Sequence, residues 1–262
     1  MSARAVRLAR TGAVGWWMNL KMVSQSAFDG LLAILWPLFF GTVAFFMFRA
    51  GGDPKTLVYA SLGAAVMGVW TATSVPAGSA LQRHRWNGTL ELVVAAPTPF
   101  SLTLLSLTTA TSTVGIYCMT ATLLWGRFAF GIDVPFEDPL ALAVAIPVTI
   151  VSIGLLGFLL AVAFARYRTA WTLGAMLEYP VWLVGGFLVP LSLFPDWVRP
   201  ISWLLAPTWG MNAIRDAATG TGSAWPDIAM CVALGTAYTT AGVLVTNRVL
   251  AATRRRATLS LT

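Results

Sequence analysis

The chain has 262 residues, of which 57% are hydrophobic and only 10% charged. Soluble domains carry roughly 25% charged residues, so this composition excludes a cytosolic enzyme, a nucleic-acid binder and a disordered chain. The 17 basic residues outnumber the 10 acidic ones, and in a chain this apolar that excess bears on membrane orientation.

A mean hydropathy of +0.75 points to a polytopic membrane protein. Six spans of about 20 residues each would use about 120 residues. The remainder suffices for loops and short surface helices, so residues 1–262 are expected to form one all-α transmembrane domain. Its parts are a cytoplasmic interface helix (1–28), a six-span bundle (29–252) and a basic cytoplasmic tail (253–262). Cys118 and Cys231 fall in apolar stretches without metal or redox spacing and read as packed thiols. The N-terminus lacks a continuous apolar run before residue 28 and does not read as a cleaved signal peptide.

In chain order, residues 3–21 come first. Val6, Ala9, Ala13, Trp16, Trp17 and Leu20 share a helical arc of roughly 100°, with Arg4, Arg7, Arg10 and Lys21 off it. That pattern predicts an amphipathic helix on an anionic membrane face. Spans are predicted at about 31–48, 57–80, 102–125, 139–165, from 171 toward 190, and 228–250. Pro76 predicts a kink in the second. Residues 187–216 are too apolar for a plain loop and contain Pro190, Pro195, Pro200 and Pro207. They cannot form one helix. Two short helices that dip into the membrane and return are expected there, covered by protein.

Placing both termini in the cytoplasm puts twelve basic residues inside: Arg4, Arg7, Arg10, Lys21, Arg83, Arg85, Arg166, Arg168, Arg248, Arg254, Arg255 and Arg256. Five fall outside: Arg49, Lys55, Arg127, Arg199 and Arg215. This asymmetry favours termini-in, which an even number of spans requires.

The sequence offers no catalytic constellation, no metal cluster and no phosphate-binding loop, so ATP hydrolysis in the P-loop manner is not expected of this chain. The only histidine, His84, reads as a solvated loop residue. Two segments are unusual. After the second span comes Gly88-Thr-Leu-Glu-Leu-Val-Val-Ala-Ala-Pro97, which Asn87 or Thr89 can cap as a short helix. So apolar a cytoplasmic loop needs a partner surface. The second is the apolar stretch 187–216.

Gly-Thr-Leu-Glu-Leu-x-x-x-x-Pro after span two resembles the permease subunits of ABC type-2 exporters. So does Gly-Phe-Leu-Val-Pro-Leu-Ser-Leu-Phe-Pro-Asp-Trp-Val-Arg-Pro before the last span, followed by the pair Ile214-Arg215. The resemblance spans essentially the whole chain. It implies that Gly88, Thr89, Leu90, Glu91, Leu92, Val93 and Pro97 couple to an ATP-binding-cassette ATPase. Glu91 matches the family's acidic position. Gln82-Arg-His-Arg-Trp-Asn stands where the family often has an acid–base pair. The resemblance further implies an external re-entrant gate at 190–215, including Pro190, Pro195, Trp203, Pro207 and Arg215. ATP and Mg would be bound by the partner ATPases, with no cofactor or metal on this chain. A second permease copy or paralogue and membrane lipids would be the other partners, in the plasma membrane, and nucleic acid none.

Glu178 is the only acid well inside a span, and reads as a substrate-path acid or a structural hydrogen-bonding group with Tyr, Thr or water. Ser106, Thr109, Thr113 and Thr120 share one face of span three. They could line a conduit or bind helices together. Trp182, Phe187, Trp203 and Trp209 could line an aromatic path for an apolar substrate, or belong to an interfacial belt. An Arg215–acid pair is expected at the outer interface. The expected cargo is a hydrophobic drug, antibiotic or lipid-like molecule. A proton-coupled secondary transporter using Glu178 and an intramembrane lipid-modifying enzyme are the rival readings.

Overall fold

The structure, a computed structural model, describes residues 3–24, 27–50, 54–86, 88, 92, 98–164 and 170–256. Among these residues it is helical, without strands: α1 (Ala3–Ser24), α2 (Ala27–Arg49), α3 (Pro54–Trp86), α4 (Phe100–Phe130), α5 (Pro139–Phe164), α6 (Ala170–Val184), α7 (Arg199–Trp203), α8 (Ala206–Thr219) and α9 (Ala224–Arg256). Two 3-10 turns, Leu191–Leu193 and Asp196–Val198, lie between α6 and α7. Among the described residues, four helical segments are long and apolar enough to cross a membrane: Lys55–Ser74, Phe100–Phe130, Pro139–Ala163 and Ala224–Arg248.

The organising element is α3, which packs against α2, α4, α5 and α6. Residues 60–70 are buried without a break, so this helix has no solvent face over three turns. The sequence allows that because Ala60, Ser61, Gly63, Ala64, Ala65 and Gly68 are small, so neighbours can approach on every side. α4 approaches closely at Gly115, where a Cβ would lie 2.7 Å from the Cα of Val69. The helix continues through Pro76 to Trp86.

The bundle core runs from Leu62, Val66 and Trp70 of α3 to Ile153 of α5 and to Met211 and Ile214 of α8. The start of α5 is fixed to the end of α8. Asp138 caps α5 by accepting the Ala141 N–H at 2.9 Å. The Glu137 and Asp138 N–H groups donate to the carbonyls of Ala218 and Ala217. Cys118 and Cys231 are both buried thiols.

The N-terminal helix has three faces. Gly12 and Gly15 turn toward Leu102 and Ser106 of α4, Ser106 donates to the Gly12 carbonyl at 3.1 Å, and Trp16 donates to Thr113 at 3.2 Å. A second face, with Val6, Ala9, Ala13 and Trp17, is exposed and apolar. Arg7, Arg10 and Lys21 make an exposed basic face beside it. Of the expected apolar arc, Trp16 and Leu20 are half-buried and the rest is open. The packing face was not legible because glycines carry no hydropathy signal.

The fifth expected span ends early. α6 stops at Val184, not near Pro190. His84 lies on α3, while Arg166, Arg168 and residues 257–262 lie outside the described residues.

Gly115→Ala is expected to destabilise the bundle by about 1–3 kcal/mol, because backbone rather than a flexible side-chain end must yield. Thermal unfolding of the detergent-purified protein should show a lower midpoint. An unchanged midpoint would contradict the tight α3–α4 crossing.

Candidate functional site

The end of α6 is the centre of the site. Gly186 adopts φ +70°, a left-handed conformation that glycine takes without penalty. Phe187 N–H then reaches back to the Trp182 carbonyl at 3.2 Å, and Gly186 N–H to the Leu183 carbonyl at 3.1 Å. This is a Schellman helix end, with Phe187 and Trp182 in one buried cluster. It turns the chain sharply within apolar surroundings. The Gly186 and Phe187 carbonyls then need donors that water cannot supply.

Arg215 of α8 supplies them. Its Nη1 donates to the Gly186 carbonyl at 2.8 Å, and its Nη2 donates to the Phe187 carbonyl. The guanidinium Cζ lies over the ring of Tyr59, 3.2 Å from the centroid, a cation–π arrangement. Tyr59 in turn donates its hydroxyl to the Gly186 carbonyl at 3.0 Å. One turn along α3, a Cβ on Gly63 would lie 1.8 Å from the Phe187 carbonyl oxygen, so only glycine lets the break approach. The expected Arg215–acid pair is replaced by carbonyl dipoles and an aromatic face. Two exposed salt bridges, Arg127–Asp133 and Arg199–Asp196, lie elsewhere.

A second attachment joins α6 to α3 farther along both helices. Thr71 donates to Glu178 Oε1 at 2.6 Å. That resolves the open choice of partner for Glu178 as a threonine. Thr71 and Tyr59 are twelve positions apart, about 18 Å along the helix at 1.5 Å per residue. Trp182 lies between the two attachments, buried, edge-on to Phe40 of α2 at 4.9 Å and to Tyr179 at 5.1 Å. Phe187 is fully buried.

The other expected gate residues shape the return path. Pro190 and Pro195 start the two 3-10 turns. Ser202 of α7 donates to the Val184 carbonyl at 2.6 Å, tying α7 to the end of α6. Trp203 is exposed, and its carbonyl accepts the Trp209 indole N–H at 2.9 Å. Pro207 is buried in the first turn of α8, where its missing N–H costs nothing. The Ala206 N–H donates to the Tyr238 hydroxyl of α9 at 2.9 Å. Thr109 and Thr113 lie apart from this region. Both hydroxyls return to carbonyls of α4 itself, and Thr113 also accepts from Trp16 of α1. Of the coupling residues, Gly88 is an exposed turn with φ +63° and Leu92 is exposed. Thr89, Leu90, Glu91, Val93 and Pro97 lie outside the described residues.

Beside the break is a cavity of about 680 Å³, with Tyr59, Gly186, Pro190 and Arg215 in its wall. Tyr59 and Gly63 were not singled out from sequence, Thr71 was seen only as a polar interruption of the second span, and Gly186 only as the first residue of the family motif. Only the Gly185-Gly186 pair carried a usable signal, as a helix stop inside an apolar run.

The ABC-2 type transporter family model matches residues 11–218, from the first helix through Arg215. The chain belongs to that family. It is therefore the membrane-embedded permease component of an ABC transporter. The family's permeases are transport subunits that work with ATP-binding-cassette ATPases. No curated protein matches the chain.

Arg215→Lys is expected to keep the charge but lose the planar two-carbonyl bridge. Leaving a buried carbonyl unpaired costs about 1–3 kcal/mol. Tyr59→Phe removes one neutral bond, about 0.5–1.5 kcal/mol. Thermal unfolding should rank wild type above Tyr59→Phe above Arg215→Lys; equal midpoints would show that the break is held by packing alone.

Proposed function

We propose that the chain is the permease subunit of an ATP-driven exporter that works as a dimer of two copies or of two paralogues. Separate ATPase subunits bind ATP and Mg and dock on residues 88–97. The cargo is a hydrophobic drug, antibiotic or lipid-like molecule. The chain resides in the plasma membrane with both termini in the cytoplasm and six spans. Family membership across residues 11–218 carries this reading.

The geometry of α3 suggests how force would travel. Its 33 residues make a rod of about 50 Å. One end precedes the coupling segment, and the other holds Tyr59 and Gly63 at the broken end of α6. Because α6 is fastened to α3 at Thr71–Glu178 and again at Gly186–Phe187, a tilt of α3 takes α6 and the 190–215 segment with it. ATP drives the cycle only if it binds one tilt state better than the other. The cargo would leave past the turns at Pro190 and Pro195, between the permeases. α1, with its basic and apolar faces exposed side by side, would lie along the cytoplasmic leaflet.

Co-expression with candidate ATPases, followed by purification in nanodiscs, tests the coupling. The wild type should retain an ATP-hydrolysing subunit, and a Leu92→Asp, Val93→Asp variant should lose it. No retained ATPase with the wild type would sink the reading. Binding that survives in the variant would move the docking surface elsewhere.

Glu178→Gln separates the ATP-driven reading from proton coupling. Gln still accepts the Thr71 hydrogen bond but carries no exchangeable acid proton. ATP-dependent transport into inverted vesicles is expected to persist, both in this variant and with the proton gradient collapsed. Loss of transport under both conditions would favour the secondary-transporter mechanism.

A further inference from the structure

The outer side of α1 carries charge that the family assignment does not use. Gly12, Gly15 and Trp16 hold one side of this helix against Leu102, Ser106 and Thr113 of α4. By helical periodicity, Arg10 and Lys21 fall on the opposite side. At about 100° per residue they lie within about 20° of each other, with Arg7 about 60° away. All three are exposed. α1 contains no Asp or Glu. Among the described residues none of the three basic side chains meets a carboxylate. Apolar side chains border this basic ridge on both flanks, Val6 and Trp17 on one and Met18 and Met22 on the other, each more than half exposed.

The seat on α4 gives the ridge a depth and a direction. Leu102 and Ser106 lie in the first two turns of the candidate span Phe100–Phe130, so α1 is seated within about 10 Å of that end of the span. A ridge that points away from a membrane-crossing helix at this depth points sideways into the headgroup layer. Basic residues bordered by apolar ones suit that layer. The apolar side chains enter the acyl boundary while the long basic ones hold their charges at the level of the phosphates. A soluble acidic partner would leave an apolar flank in water. A zwitterionic headgroup brings its own cation, so only a net anionic one neutralises the ridge.

We propose that Arg7, Arg10 and Lys21 form a site for anionic phospholipid headgroups. The bound lipid tethers α1 and, through the seat at Gly12, Gly15 and Trp16, the start of α4. The inference rests on the reading of α1 as lying along the cytoplasmic leaflet and adds a lipid class to it. It does not depend on the ATPases.

The test uses the full chain. Both native cysteines are buried, so a fluorophore on Met18→Cys reports from the edge of the ridge. The labelled protein is placed in nanodiscs of phosphatidylcholine with a minor fraction of phosphatidylglycerol, and one lipid or the other carries bromine on its acyl chains. Mole for mole, brominated phosphatidylglycerol is expected to quench several-fold more strongly. In detergent, native mass spectrometry should show phosphatidylglycerol bound at least about tenfold more tightly than phosphatidylcholine, about 1.4 kcal/mol. The combined variant Arg7→Gln, Arg10→Gln, Lys21→Gln should lose both preferences. Arg7→Lys with Arg10→Lys should keep them, because the ridge acts by its charge. Salt at about 1 M, where screening acts within about 3 Å, should weaken the preference of the unmodified ridge. Should the combined variant fail to fold, Arg10→Gln and Lys21→Gln take its place singly, each expected to cost about fivefold. Equal quenching by the two lipids would leave α1 at the bilayer and remove the site. Quenching by neither would take α1 off the membrane and overturn its placement along the leaflet as well. A preference that survives in the well-folded combined variant would put the anionic lipid elsewhere on the chain and overturn the proposal.

Discussion

A broken helix inside an apolar bundle must find donors for its last carbonyls, and here one arginine supplies them. The chain reverses at Gly185–Gly186–Phe187, where the Schellman geometry satisfies the N–H groups of Gly186 and Phe187. The Gly186 and Phe187 carbonyls are left over. Arg215 and Tyr59 take both, and three segments far apart in sequence meet at that point. Gly63 is required for the same reason, because any side chain there would hold α3 away from the carbonyls it helps to cover. Remove the arginine and the Phe187 carbonyl loses its donor, leaving Tyr59 alone on Gly186. Remove the break and the arginine is a buried charge left with Tyr59 alone.

The rest of the bundle is arranged so that this junction moves as a unit with α3. Small residues over 60–70 let α2, α4, α5 and α6 close around that helix. The Thr71–Glu178 bond fixes α6 at a second level, and two fixed points on a rod prevent independent rotation where one would not. The Asp138 N–H, Tyr238 and Ser202 each bridge α8 or α7 to a different neighbour. α8 is therefore held at both ends and α7 at Ser202, although neither is long enough to be stable alone.

Much of this was legible in the sequence. Long apolar runs predicted α2 to α5 and α9, the four prolines predicted the broken segment, and Glu178 and Arg215 stood out as charges in apolar surroundings. Three things were not legible. The end of α6 was placed too far along because the apolar run continues past Gly186, and hydropathy does not register a left-handed turn. Arg215 was expected to meet an acid, since an unpaired carbonyl is invisible until the chain's path is known. The hydroxyl face of α4 was visible as a face, but what covers it was not. Part of it is covered by α1 through Gly12, Gly15 and Trp16, where glycines offer close approach rather than hydrophobic bulk. The coupling motif lies mostly outside the described residues, so its reading rests on the family pattern.

The junction is held without a salt bridge, and that choice has a consequence for its dynamics. Two carbonyl dipoles and an aromatic face stabilise a guanidinium less than a carboxylate would in the same apolar surroundings. They can also be replaced by any other acceptor that reaches the arginine. The neighbouring cavity opens onto Tyr59, Gly186 and Arg215, the same groups that close the break. Whatever occupies it touches the atoms that set the relation of α6 to α3. Occupancy and helix arrangement are therefore linked in both directions: a state of α3 that tightens the cavity around its contents is favoured by those contents in equal measure. An ion-paired arginine would have held the break more firmly and removed that linkage.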